Sequence, residues 1–200
     1  VGLQEVDSMC NRSGNIDQMK ELAAITGMHY AFVRHFAYDG GAYGLGILSK
    51  YPIGKVENKR ISILPKDEKK PSLAFLTAEI ALPRNRKLLF GSVHYSLNVP
   101  SRLKQTEEVL QAVGSSDIPV ILTGDLNANP DSKEILNLGN YFTETGASNR
   151  FTFPVKKPTK KIDYIMVSNS HLDKVVRSVV SNDIHLSDHL PLTSVVRLKN

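Results

Sequence analysis

Between residues 29 and 96 the sequence runs through five strand-like stretches with little room between most of them. HYAFVRHFAY, YGLGILS, GKVENKRISIL, SLAFLTAEIAL and LLFGSVHYS are rich in β-branched and aromatic residues, and the connections DGGA, KYP and PRNRK are short. Connections of that length suit antiparallel hairpins, because a parallel pair needs a crossover of a dozen residues or more. A purely parallel, doubly wound sheet therefore fits poorly. Two helices frame this region. IDQMKELAAITG sets Ile16, Met19, Leu22, Ala23 and Ile25 near helical spacing and stops at Gly27. SRLKQTEEVLQAV sets Leu103, Thr106, Val109, Leu110 and Val113 on one face.

The flanks read in the same way. Val1 to Val6 is the end of a strand, PVILTG carries a buried one, SKEILNL is a short helix before a polar, turn-rich region, and IDYIMVS, DKVVRSVVS and LTSVVRL are three final strands. No repeat, heptad, low-complexity tract or dividing linker interrupts the 200 residues, of which 41% are hydrophobic. Residues 1–200 are expected to form one domain of two stacked sheets with helices outside. No stretch approaches the roughly 20 apolar residues of a membrane-spanning helix. Cys10 is the only cysteine, which excludes an internal disulfide and a thiolate zinc cluster. The compartment stays open, since a reducing environment and a disulfide-free exported protein fit equally.

Several familiar signatures fail on inspection. GLGILS lacks the third glycine of a dinucleotide fingerprint and runs into strand residues rather than a helix. HLSDH spaces His185 and His189 as a zinc helix would, but Pro191 and the Ser-Asp pair argue against a helix. There is no G-x-S-x-G elbow. A net charge of +5 is compatible with anionic partners without establishing them. Lys66, Lys69 and Lys70, and Arg84, Arg86 and Lys87, read as solvated loop tips. Lys156, Lys157, Lys160 and Lys161 lead directly to another candidate site residue, so a solvated loop and a substrate contact stay equally open.

Polar groups at the ends of apolar strands form the informative set. In TGDLNANP, Asp125 and Asn127 are two residues apart at the mouth of a strand, a spacing that points both to one side and turns Leu126 into the core. Glu5 follows VGLQ, His94 closes LLFGSVH, Asp163 opens IDYIMVS, and Asp188 with His189 precedes LPLTSVV. Each alone has an ordinary explanation as a turn former or a hydrogen-bonded core histidine. Together they place four acids, two histidines and an amide at apolar strand boundaries. Hard carboxylate oxygens without thiolates favour magnesium or manganese, which bind substrate phosphate, and histidines can move protons. That inventory suits hydrolysis of a phosphate ester.

These residues carry a resemblance. LQEVD, GLGILSKYPI, SVHYS, TGDLNANP, KKIDYIMVS and LSDHLPL are similar, in order, to the motifs of the endonuclease/exonuclease/phosphatase superfamily, the DNase I-like fold. The resemblance implies an α+β fold, a four-layered α/β/β/α sandwich of two mixed, largely antiparallel sheets flanked by helices. It implies a divalent-metal-dependent phosphoesterase, most simply a phosphodiesterase or nuclease acting as a monomer on a phosphate ester, with nucleic acid as one such partner. Carried over by motif, Glu5 is the main ligand of Mg2+ (or Mn2+), with Asp188 nearby. Asp125 and Asn127 position the water and the phosphate, His94 contacts the scissile phosphate, and His189 pairs with Asp163 as an acid/base dyad. Lys160 and Lys161 are candidate substrate contacts on the loop FTFPVKKPTKKID. Two departures stand out: the family's first strand, ending in an asparagine, is absent from this sequence, and no acid near Tyr43 takes the role of orienting His94. Phosphomonoesters, inositol phosphates and phospholipids remain alternative substrates, and a non-catalytic anion-binding module is the alternative class.

Overall fold

The computed structural model describes residues 1–65, 72–146, 150–184 and 186–199; Lys66, Lys69, Lys70 and His185 lie outside the described residues. The chain begins with strand β1 (Gly2–Ser8), and after a short 3-10 turn the first helix, α1, spans Gln18–Thr26. Asp17 caps α1 by accepting from the Lys20 N–H at 3.1 Å, and Gly27 ends it at φ 66°. Strands β2 (His29–Tyr38) and β3 (Gly41–Ser49) form the DGGA hairpin, and β1 pairs with β3 to complete an antiparallel sheet of order β1-β3-β2.

The second sheet holds β4 (Ile53–Ser62), β5 (Ser72–Leu82), β6 (Arg86–His94), β7 (Val120–Asp125), β8 (Phe142–Glu144) and β9 (Asp163–Ser168) in the order β4-β5-β6-β7-β9-β8. Its one parallel pair, β6 with β7, is joined by helix α2 (Val99–Val113), the crossover that a parallel pair requires. Helix α3 (Lys133–Gly139) precedes β8. Strands β10 (Leu172–Val180) and β11 (Leu192–Leu198) form an antiparallel ladder of their own, with β11 against β9. The PRNRK connection is a hairpin, with Arg84 and Asn85 at positive φ. The KYP connection is not. It carries the chain from β3 in one sheet to β4 in the other, and the Pro52 carbonyl accepts from Ala81 of β5 at 3.0 Å. The short strand β8 lies in the stretch that reads as turn-rich.

Three layers of apolar side chains separate four layers of backbone. Ala31, Val33, Leu45 and Ile47 of the small sheet meet Ala74, Leu76, Ala78 and Ile80 of the large one. Val109 and Val113 of α2, with Ile135 and Leu138 of α3, cover the outer face of the large sheet over Phe75, Val93, Val120 and Leu122. Met19 and Ala23 of α1 cover the small sheet over Val6 and Leu48. This is the α/β/β/α order implied by the sequence motifs. Full burial of each large apolar side chain contributes roughly 1.5–3 kcal/mol, so the inter-sheet layer fixes how the sheets sit. No helix among the described residues is long and apolar enough to cross a membrane.

Candidate active site

Register across the large sheet assembles the first part of the site. His94 at the end of β6 is the ladder partner of Asp125 at the end of β7, and Asp125 is the partner of Asp163 at the start of β9. Neighbouring strands lie about 4.8 Å apart, so the three residues stand side by side at one edge. Gly124 permits this approach: a Cβ there would lie 2.0 Å from the Val93 carbonyl oxygen. Leu126 turns inward and is buried, as the spacing predicts. Asn127, at φ 48°, donates its backbone N–H to Asp125 Oδ1 at 2.8 Å and its side-chain N–H to the Tyr95 carbonyl at 2.9 Å. The Asp-x-Asn spacing is thus a locked turn at the strand mouth.

His189 arrives from outside the sheet. The backbone N–H of Val155 donates to Asp188 O (2.7 Å) and that of Leu190 to Thr152 O (2.8 Å), stitching residues 188–190 to the 151–160 loop. The His189 ring rests against Phe153, with centroids 4.8 Å apart, and its Nδ1 meets Asp163 Oδ2 at 2.8 Å. Its Nε2 lies 3.9 Å from Asp125 Oδ2, while His94 Nε2 approaches the same oxygen at 3.6 Å. Asp125 therefore stands between two imidazoles.

Glu5 reaches the site through an irregularity. The β1–β3 register shifts between Leu3 and Val6, and Glu5 sits there at φ 58°, an uncommon conformation for a residue other than glycine. Burial, reinforced by the charge of the Glu5 carboxylate, holds the Tyr43 phenol protonated. Gln4 holds β1 onto β6 through Ser92 Oγ at 3.0 Å. Glu5 and Asp188 are exposed and, with His94, Asp125, Asn127, Lys160 and His189, line one cleft of about 800 Å³.

The charges in this cleft shape its proton inventory. Burial, reinforced by the Asp163 charge, pushes Asp125 up to about 7, against the opposing Asn127 N–H and His189. Burial alone would lower His189, but its bond to Asp163 and the charges of Asp163, Asp125 and Asp188 outweigh that and raise it to about 9. Burial lowers His94. Asp125, Asp163 and His189 offer ligand atoms within 4.8 Å of one another. Of these atoms, His189 Nδ1 and Asp163 Oδ2 are already committed to each other.

One sequence expectation is corrected. Lys160 lines the cleft and lies over the Phe153 ring, but Lys161 points the other way: it is 1% exposed and paired with Glu144. Adjacent residues in extended chain face opposite sides, so only one of the two lysines could meet substrate. Lys156 lines a separate depression of about 460 Å³ with Arg150, Phe151 and Leu190. The cleft also includes groups not foreseen: Tyr43 and Phe36, stacked at 5.4 Å, and His35. His35 had a signal in the sequence, since it continues the inward alternation of Ala31 and Val33.

The family model described as Endonuclease/Exonuclease/phosphatase family matches residues 1–189. The chain belongs to the endonuclease/exonuclease/phosphatase family. That family comprises hydrolases of phosphate esters. Among relatives, the chain is 29% identical over 177 residues to the Escherichia coli (strain K12) uncharacterized protein YbhP, covering 84% of this chain and 68% of that protein. Its fold is similar to that of a functionally unknown conserved protein from Enterococcus faecalis V583, with TM-score 0.76 and 23% identity over 91% of this chain and 81% of that one. It is similar as well to the human Nocturnin catalytic domain with bound sulfate anion, with TM-score 0.72 and 18% identity over 92% and 77% of the two chains.

Proposed function

We propose that this endonuclease/exonuclease/phosphatase protein hydrolyses phosphodiesters in a reaction dependent on Mg2+ or Mn2+. The observation that carries the proposal is the His189–Asp163 hydrogen bond, with His189 Nε2 turned toward the buried Asp125 carboxylate inside the cleft that holds Glu5 and Asp188. The donor set fits a hard divalent ion: two exposed carboxylates, no thiolate, and an acid-rich wall whose mutual repulsion a cation relieves. Glu5 and Asp188 would hold it, and it would supply charge neutralisation at the phosphate oxygens.

The protein's own groups divide the proton work. Asp125, lifted to about 7, is the carboxylate placed to take a proton from the attacking water, with Asn127 fixing its orientation. His189, at about 9, rests as an imidazolium at neutral pH, so it serves as hydrogen-bond donor and acid toward the phosphoryl or leaving-group oxygen. Asp163 holds that ring in place and supports its charge. His94 is a neutral donor to the phosphate, and Lys160 adds a cation at the rim.

Turnover of bis(4-nitrophenyl) phosphate with magnesium, alongside 4-nitrophenyl phosphate and an EDTA control, tests the reading. Diester turnover abolished by EDTA and restored by magnesium is expected. Hydrolysis of the monoester alone would move the assignment to a phosphatase, and metal-independent turnover would overturn it.

A further inference from the structure

His35 stands on the inward face of β2, where Ala31 and Val33 before it enter the inter-sheet core. Its Nδ1 accepts the Ala74 backbone N–H from β5 at 2.7 Å. A neutral imidazole that accepts at Nδ1 carries its proton on Nε2. Burial pushes His35 down to about 3, so the ring is neutral across the physiological range. Its Nε2 is nonetheless buried without a hydrogen-bond partner among the described residues. A buried donor left unmade costs roughly 1–3 kcal/mol, so an acceptor nearby gains from turning toward it.

Three rings surround His35. Phe36 has no acceptor atom on its ring, and no hydrogen bond joins His35 Nε2 to the Tyr43 hydroxyl. The third is His94, edge-on at 68° with centroids 6.3 Å apart. His94 Nε2 lies 3.6 Å from Asp125 Oδ2, on the side of its ring that faces the cleft. With the proton on Nε2, His94 Nδ1 becomes the acceptor that His35 lacks.

We infer that His35 is a positioning residue for His94. Its Nε2–H holds the His94 ring with Nδ1 as acceptor and the proton on Nε2, extending one line of donors from Ala74 through His35 and His94 to Asp125. The two rings are not hydrogen-bonded in this structure, and on this inference the bond closes when phosphate fills the cleft. The role assigned to His94 at the phosphate rests on the proposed function; the tautomer and its dependence on His35 do not.

Imidazole 15N spectra of the whole protein decide this, read with and without inorganic phosphate. His94 is expected to be neutral with its proton on Nε2. His35→Gln, which keeps both an acceptor for Ala74 and a donor, should preserve that tautomer. His35→Phe, which keeps the ring volume and removes the donor, should give a mixture of His94 tautomers and lower kcat by roughly 10–100-fold with little change in KM. A proton on His94 Nδ1 in the unaltered protein overturns the inference whatever the variants do. So does an unchanged His94 tautomer in folded His35→Phe. If the tautomer shift is seen but no phosphodiester is turned over, the functional reading fails and the positioning role stands.

Discussion

His94, Asp125 and Asp163 stand at paired positions on three adjacent strands, whereas Glu5 and Asp188 reach the same cleft from a bulge and from an irregular loop. The first wall is rigid and largely buried. Its spacings are those of a β-ladder, and each residue is tied to a neighbour by backbone bonds. The second wall, Glu5 and Asp188, is exposed. Groups that exchange protons need fixed separations, which strand ends supply. Groups that hold magnesium must tolerate an ion that retains part of its hydration shell, which an exposed rim supplies. On the proposed function, proton transfer falls to the strand wall with its partner His189, and metal binding to the interrupted one.

The largest effect should follow damage to the groups that exchange protons, Asp163 of the strand wall and the His189 that rests on it. His189→Ala should lower turnover by roughly 10²–10⁴-fold, the range for removing a general acid–base group. Asp163→Asn should also lower it, because the amide brings no charge to hold the imidazolium. The two losses should not multiply, since both disable one unit. Losses that do multiply in a folded double variant would separate the residues and break the comparison.

A smaller effect concerns stability in acid. His35 has a folded pKa of about 3 against an ordinary 6.5, so on acidification the unfolded chain takes the proton first. Its contribution is therefore complete above pH 6.5 and is lost as pH falls toward 3, at about 1.4 kcal/mol per pH unit. Urea unfolding between pH 7 and about pH 4 should show that slope flattened by roughly one proton in His35→Gln. An identical slope in the variant would show that His35 is not the group being protonated.

The adjacent lysines sharpen the contrast between buried and exposed charge. Lys161→Met should destabilise the fold by about 2 kcal/mol, because it leaves the Glu144 carboxylate beside it without a cation. Lys160→Ala should leave stability unchanged and, with a long nucleic acid, make the salt dependence of binding shallower by about one unit. Reversal of the two outcomes would mean that the lysines exchange roles in solution.

The strands of the middle region were legible because alternation and short turns both point to hairpins, and the ends of those strands marked the site. Asp125 and Asn127 could be assigned to one side from a spacing of two. Other features depend on contacts the local sequence does not encode. β8 is three residues in a polar stretch and exists through its pairing with β9. KYP looks like a hairpin turn, yet the packing of the two sheets decides that the chain crosses between them. Glu5 was legible as an acid after a strand, but the bulge that aims it is a product of the β1–β3 register. Lys161 was misread because a run of lysines suggests one charged surface, while strand alternation splits the run. His35 was passed over as one residue of an apolar strand, although an inward histidine among alanine and valine is itself the signal of a constrained polar group.

The division between metal binding and proton transfer is tested most directly by magnesium titrations of phosphodiester turnover for the unaltered protein, Glu5→Gln and His189→Ala. Glu5→Gln should shift half-saturation to roughly 10–100-fold more metal, the scale of disturbing a metal site, and approach the normal rate at saturation. His189→Ala should half-saturate at the normal concentration with a plateau lower by roughly 10²–10⁴-fold. A Glu5→Gln plateau as low as that of His189→Ala with no shift in half-saturation, or restoration of His189→Ala by added magnesium, would contradict the account.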